Sequence, residues 1–307
     1  MGGHPGAWVV LALLPGMVPP AAPGLQETVA ALAAAASGRV GAAALLVETG
    51  AGVAVNGNEP FPMQSVFKLP LALHVLHLVD QGRLRLDAQV PVAPADMRRG
   101  HSPIRDRWPG GVTLTLEELL RYAVAESDNT AADVLLARSG GPAAVSERLA
   151  ALDVVGMRVD RGEAELAADL LDGGRPALDR YLADPRDTAT PNGAVELLAH
   201  VARGGGLRPA TRARLLRWLT ETPTGPRRIK GRLPRGVAVA HKTGTGPTVD
   251  GINACTNDIG LITLPDGRHA AVAVFVKGSP AGEAEREEVI ARIARAVYDS
   301  WSGPSRR

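Results

Sequence analysis

Between residues 69 and 80 the chain runs LPLALHVLHLVD with almost no polar face. Leu69, Leu71, Ala72, Leu73, Val75, Leu76, Leu78 and Val79 occupy every side of a helical wheel, which predicts a helix buried on most of its surface. Lys68 stands at the head of this run, where a lysine must be paired, neutral or useful. Upstream, LQETVAALAAAASG is patterned as a helix that Gly38 would close, and GAAALLVETGAGVAVNGNEPF reads as two short strands joined by a glycine-containing turn. Residues 67–219 are mostly helical in pattern, with segments such as LTLEELLRYAVAE and AVELLAHVARGGG.

Beyond Pro234 the pattern changes to strands. GVAVAHKTGTG is one, and NDIGLITLPDGRHAAVAVFVKG is a pair turning at Pro265-Asp266-Gly267. A long final helix sets Val289, Ile293, Val297 and Trp301 at four-residue intervals, a stripe suited to packing on a sheet. Strands and a helix at both ends with helices between them predict an α/β chain of the α+β type in two lobes. An antiparallel sheet flanked by the N- and C-terminal helices would be built from residues 25–60 and 221–307. An all-helical lobe would span 61–220, and the two would form one catalytic domain with the active site between them. The RGGGL stretch, residues 203–207, lacks the Lys-Ser/Thr that a P-loop places after its glycines, so it is read as a helix-ending loop.

Composition narrows the function classes. The 307 residues are 45% apolar and 21% charged with a net charge of +2, the profile of an ordinary globular protein. Without a basic tract or an aromatic RNA-binding signature, nucleic acid is not an expected partner. The single cysteine, Cys255, excludes an intramolecular disulfide and a cysteine-based metal cage. His74 and His77 are helically adjacent but have no evident third ligand, so no metal and no cofactor are expected. The apolar residues 7–18 are too short to span a bilayer and no stable membrane anchor is expected. With the small residues that follow, they read as a secretory leader over residues 1–24, which implies a periplasmic or secreted protein. The absence of Lys or Arg before that run, and its interruption by Pro15 and Gly16, leave an unstructured leader as the alternative. Nothing in the pattern calls for an obligate partner, so a monomer is expected.

Ser65 precedes Lys68 by three residues, which puts both on one helical face and lets the amine reach the hydroxyl. In isolation an N-cap serine beside an outward-reaching lysine is the better explanation of the pair. Two further stretches change the balance: Ser127-Asp128-Asn129 between two apolar runs, and Lys242-Thr243-Gly244 at the end of a predicted strand. Ser-x-x-Lys, Ser-Asp-Asn and Lys-Thr-Gly in this order, far apart, form the motif set of class A β-lactamases and penicillin-binding proteins.

Over nearly all of the chain after its leader the sequence resembles the class A serine β-lactamases. RVDRGEAELAAD resembles their omega-loop segment, with Arg161 as the anchoring arginine and Glu163 as the deacylation glutamate. Asp187 in DPRDTATP is the corresponding partner of Arg161, and TPTGPRRIKGRLP places Arg228 where some members keep a carboxylate-binding guanidinium. The resemblance implies Ser65 as nucleophile, Lys68 and Glu163 as proton acceptors, and Ser127 as the shuttle to the leaving nitrogen. It further implies Asn129 as the binder of the substrate amide and the backbone N–H groups of Ser65 and Thr245 as an oxyanion hole. Lys242, Thr243, Gly244, Thr245 and Arg228 would surround the substrate carboxylate, Arg228 by a two-pronged contact. The expected substrates are small-molecule β-lactams.

The chain also departs from that family. Ala167 stands where an asparagine usually helps hold the hydrolytic water, and Ala164 where many members have a proline after a cis bond. Far more chain than usual separates Glu163 from Asp187, with LDGGRP reading as a turn between two short apolar pieces. Glu165 is the alternative to Glu163; the arginine-to-glutamate spacing favours the latter. A transpeptidase or carboxypeptidase, a sensor that stays acylated, and a serine glutaminase are the competing readings.

Overall fold

The computed structural model describes residues 24–303, so the leader expected over residues 1–24 lies almost wholly outside the described residues. Helix α1 (Leu25–Ala34) leads into strands β1 (Arg39–Leu46) and β2 (Gly52–Val55), as the pattern predicts. The short strand β3 (Phe61–Pro62) and a 3₁₀ turn (Gln64–Phe67) precede α2 (Lys68–Asp80). Next come β4 (Gln89–Val92), α3 (Pro103–Arg107), β5 (Val112–Thr115), α4 (Leu116–Val124), α5 (Asn129–Arg138) and α6 (Gly141–Ala150). The long loop region holds α7 (Glu163–Leu170), α8 (Gly174–Ala183) and β6 (Thr188–Ala189), followed by α9 (Pro191–Arg203) and α10 (Pro209–Glu221). Strands β7 (Val239–Thr245), β8 (Thr248–Val249), β9 (Ile252–Thr263) and β10 (His269–Ser279) and helix α11 (Glu283–Trp301) complete the chain.

The main sheet has the order β2-β1-β10-β9-β7, antiparallel throughout, with β8 paired to part of β9. It is covered on both faces. Val40, Ala42, Ala44, Val272, Val274 and Val276 pack toward α1 and α11, while Ala43, Leu45, Ala271, Ala273 and Phe275 pack toward the helices of the other lobe. That is why β1 and β10 read as continuous apolar runs rather than as an alternation. On α11 the buried stripe includes Ile290, Ile293, Ala294, Val297 and Trp301, with Val289 only half-buried at its margin.

The second lobe is built mainly of helices, as expected, with two short strand pairs added. It contains the antiparallel pair β4–β5 and the two-residue pair β3–β6, both too short and too interrupted for a period-2 pattern to stand out. Helix α2 lies at its centre, buried from Lys68 to Leu76 without interruption. Leu69, Leu71, Leu73 and Leu76 are each fully buried, and each contributes about 1.5–3 kcal/mol of apolar burial. Together they offset the several kcal/mol that desolvating the Lys68 ammonium costs.

Candidate active site

Ser65 sits in the 3₁₀ turn and Lys68 is the first residue of α2, so the serine lies just ahead of the helix rather than within its first turn. Lys68 Nζ is 3.0 Å from Ser65 Oγ, and it also donates to the Ser127 carbonyl at 2.8 Å and to Asn129 Oδ1 at 2.6 Å. Glu163 Oε1 lies 2.9 Å away as an ion pair, with both side chains buried. The three lysine protons thus face a hydroxyl and three groups that can only accept, which stabilises a buried cation.

Ser127 and Lys242 arrive from opposite lobes. Ser127 adopts a left-handed backbone (φ 59), rare for a serine, and this turns its carbonyl toward Lys68 while its Oγ accepts from Lys242 Nζ at 2.8 Å. Asp128 holds that loop: one carboxylate oxygen caps α5 at the Ala131 N–H and the other accepts from the Ile104 N–H, each at 2.7 Å. Lys242 is fully buried, and burial together with the neighbouring Lys68 holds its amine well below the usual lysine range.

Strand β7 packs closely on the segment before Ser65. A Cβ on Gly244 would stand 2.3 Å from the Met63 carbonyl, so glycine is required there by contact rather than by backbone angle. The hydroxyl of Thr243 shares a hydrogen bond with Thr224 at 2.7 Å, and Thr245 Oγ1 accepts from Arg228 Nη2 at 2.8 Å.

Arg228 is placed differently from the expected two-pronged carboxylate clamp. Its Nε meets Glu287, its Nη1 donates to the carbonyls of Gly244 and Asn257, and Nη2 engages Thr245. Four of the five N–H donors are taken within the protein, which leaves one for a substrate. The guanidinium therefore fixes the end of β7 and orients the Thr245 hydroxyl.

Glu163 opens α7, and a residue that sequence reasoning missed holds it there. Asp133, on α5, accepts from the backbone N–H of Glu163 at 2.6 Å and of Ala164 at 3.1 Å, and pairs with Arg98 at 2.5 Å. A Cβ on Gly162 would lie 2.6 Å from Asp133 Oδ1, which accounts for the glycine before Glu163. Glu165, the alternative, turns away to the Gly162 N–H at the start of the helix.

Arg161 and Asp187 meet as expected, at 2.6 Å with both buried, and Arg161 reaches Asp169 and Asp184 as well. The turn read at LDGGRP joins α7 to α8. From α8, Tyr181 Oη accepts from Gln64 Nε2 at 2.5 Å, tying the long loop to the residue before the nucleophile. Asn257 on β9 also supports that segment by donating to the carbonyls of Pro62 and Met63.

These groups border a cavity of about 300 Å³ lined by Ser65, Asn129, Glu163, Ala167, Thr245 and Arg99. Leu166, Leu170 and Leu171 form its apolar side. A larger cavity of about 590 Å³ lies within the long loop, lined by Arg161, Asp169, Asp184 and Arg186, which pair with one another, and it holds no nucleophile. Cys255 is buried on β9 with its thiol pushed up to about 12 by burial, so it is inert at neutral pH. His241 is buried against Asp258 at 2.9 Å. Among the described residues no group of His, Cys, Asp and Glu is arranged to hold a metal.

A serine within hydrogen-bond reach of a buried lysine, set between a helical lobe and an antiparallel sheet, is the arrangement of an acyl-transfer hydrolase. The chain belongs to the β-lactamase enzyme family, whose model matches residues 24–301. It is a class A serine member. It is 40% identical over 246 residues to the extended-spectrum β-lactamase PER-1 of Pseudomonas aeruginosa, covering 80% of this chain and 76% of that protein. To β-lactamase VEB-1 of the same organism it is 34% identical, over 80% of each chain. Among solved structures, a β-lactamase from Chitinophaga pinensis superposes with a TM-score of 0.83 at 40% identity, over 90% of this chain and 98% of that one. A class A β-lactamase from Bacteroides cellulosilyticus gives 0.81 at 30% identity, over 91% and 97%.

Proposed function

We propose that the chain hydrolyses the β-lactam amide of penicillins and cephalosporins through an acyl-enzyme on Ser65, an activity that confers resistance to these antibiotics. The observation that carries this reading is the chain of contacts from Ser65 Oγ to Lys68 Nζ and on to Glu163 Oε1, at 3.0 and 2.9 Å.

Ser65 Oγ attacks the ring carbonyl carbon as its proton departs. That proton goes to Glu163 through a water, or to Lys68 after Lys68 has passed a proton to Glu163. Both routes draw on Glu163. The oxyanion that forms is held by the backbone N–H groups of Ser65 and Thr245, each such donor worth about 2.7–4 kcal/mol. The ring C–N bond then breaks, and Ser127 protonates the nitrogen, with Lys242 resupplying Ser127 across their 2.8 Å contact. The depressed amine of Lys242 suits that exchange, since its two protonation states lie closer in free energy than in a solvated lysine.

The substrate carboxylate lies against Lys242 and the hydroxyls of Thr243 and Thr245, with Gly244 allowing close approach and Arg228 contributing its one free N–H and its charge. Asn129 receives the substrate side-chain amide. Hydrolysis of the Ser65 ester returns to Glu163, which takes a proton from the attacking water. Ala167, one turn along α7, supplies no hydrogen bond to that water.

Ala167 is also what favours a second reading, a sensor that acylates and deacylates poorly. Incubation with a chromogenic cephalosporin, followed by colour and by intact mass, separates the two. Sustained turnover supports the hydrolase, a single stoichiometric burst the sensor, and neither colour nor adduct would overturn both.

The same reading takes residues 1–24 as an export signal, the two lobes as one catalytic domain, and the mature chain as a monomer acting in the periplasm or outside the cell. Among the described residues no helix is long and apolar enough to cross a membrane.

A further inference from the structure

Near the end of α2 remote from Ser65, a separate cavity of about 350 Å³ lies between α2 and α6. His74 and His77, one turn apart on α2, line it together with Arg83 beyond the helix end and Arg148 on α6. The ten-residue α6 begins at its edge, where Gly140 (φ 100) offers no side-chain cap, so the first-turn N–H groups have no side-chain acceptor.

Two of the lining side chains carry buried polar atoms without partners. His74, 7% exposed, has its Nε2 2.8 Å from the Ser139 carbonyl and its Nδ1 unpartnered. Arg148 donates through Nη2 to the Gly205 carbonyl at 3.1 Å, while its Nε is buried and unpartnered. The glycine run after α9 admits this guanidinium: a Cβ on Gly206 (φ 66) would stand 2.5 Å from Arg148 Nη2. Glu147 also lines the cavity, yet among the described residues it makes no ion pair with either arginine. Two fixed cations and two imidazoles therefore face one carboxylate. The arginines repel a metal ion, and both Nε2 atoms are engaged, His77 with Gln81 at 2.9 Å.

We propose that this cavity is an oxyanion site that takes a phosphate group, free or as a monoester. Arg148 and Arg83 supply the charge-assisted hydrogen bonds, with the open first turn of α6 completing the cradle and the two imidazoles lining its wall. Its place on α2 means that occupancy stabilises the folded chain by mass action without competing for the substrate cleft.

The test follows the imidazole resonances of His74 and His77 by NMR, and the thermal midpoint, during titration with inorganic phosphate and with glycerol phosphate. Potassium chloride of matched ionic strength is the control. Saturable shifts and a rising midpoint are expected with phosphate, and a response to the ester as well extends the site to monoesters. Arg148→Gln and the exposed Arg83→Gln should each bind about tenfold more weakly, the loss of one charge-assisted hydrogen bond. Glu147→Gln should bind more tightly, and Lys242→Ala, which alters the substrate cleft, should leave the histidine shifts unchanged. Shifts that merely follow ionic strength, that survive intact in Arg83→Gln, or that vanish in Lys242→Ala would overturn the proposal.

Discussion

Lys68 has more acceptors than protons: Ser65, Ser127, Asn129 and Glu163 all lie within 3.0 Å of its amine. Replacing Glu163 by glutamine leaves a near-isosteric group that cannot take a proton. Glu163→Gln should lower turnover about 10²–10⁴-fold; acyl-enzyme accumulating in the intact-mass spectrum would mark deacylation as the step that suffers most, and unchanged turnover would remove Glu163 from the mechanism. At this scale the sequence was legible wherever the chemistry imposes a short spacing. Ser65 to Lys68 is one helical step, and Ser127-Asp128-Asn129 is a single tight turn. Asp133 was not legible, because an acid that accepts from the start of a helix 30 residues away leaves no local pattern. Nor was the saturation of Arg228, which depends on carbonyls of β7 and β9 converging on one guanidinium.

Two contacts between elements bear on the site: β7 against the 3₁₀ turn, and the long loop closing on itself. Gly244→Ala would drive a methyl group into the Met63 carbonyl, so a loss of about 1–3 kcal/mol is expected. Thermal denaturation reads the loss, and a matching fall in kcat marks displacement of Ser65. Arg161→Ala would leave Asp187, 2% exposed, without its cation. The expected cost is about 3–5 kcal/mol, with proteolysis concentrating at residues 160–187; an unaltered digestion pattern would show that α7 and α8 hold by apolar packing alone. The helices of this loop were foreshadowed by apolar pieces either side of LDGGRP. The β4–β5 pair was not, since QVPV carries Pro91 and alternates over only four residues.

Across the whole molecule, stability should rise with pH in two separate windows. In the loop, the hydrogen bond from Arg186 holds Asp184 below its ordinary value of 3.8, and Asp160, though burial opposes it, is lowered by Arg158. Their contribution is complete above that ordinary value and is lost as pH falls through the depressed folded values. Urea midpoints should therefore decline on acidification, less steeply in Asp184→Asn. Lys242 acts in the other window, between its lowered folded value and 10.5: its folded form sheds a proton that the unfolded lysine still holds, so stability climbs with pH there. The two-lobe plan itself was legible because the change from helical to strand patterning coincides with the return of the chain to the sheet.

The sheet order carries a further consequence for how the molecule comes into being. β1 lies between β2 and β10, and β10 ends at residue 279 of 307. During synthesis the first strands emerge more than 200 residues before their permanent neighbour, and until it arrives β1 has only the four-residue β2 beside it. The sheet cannot close around β1 until β10 has been made. A truncation before residue 269 removes β10 and leaves β1 paired only with the four-residue β2.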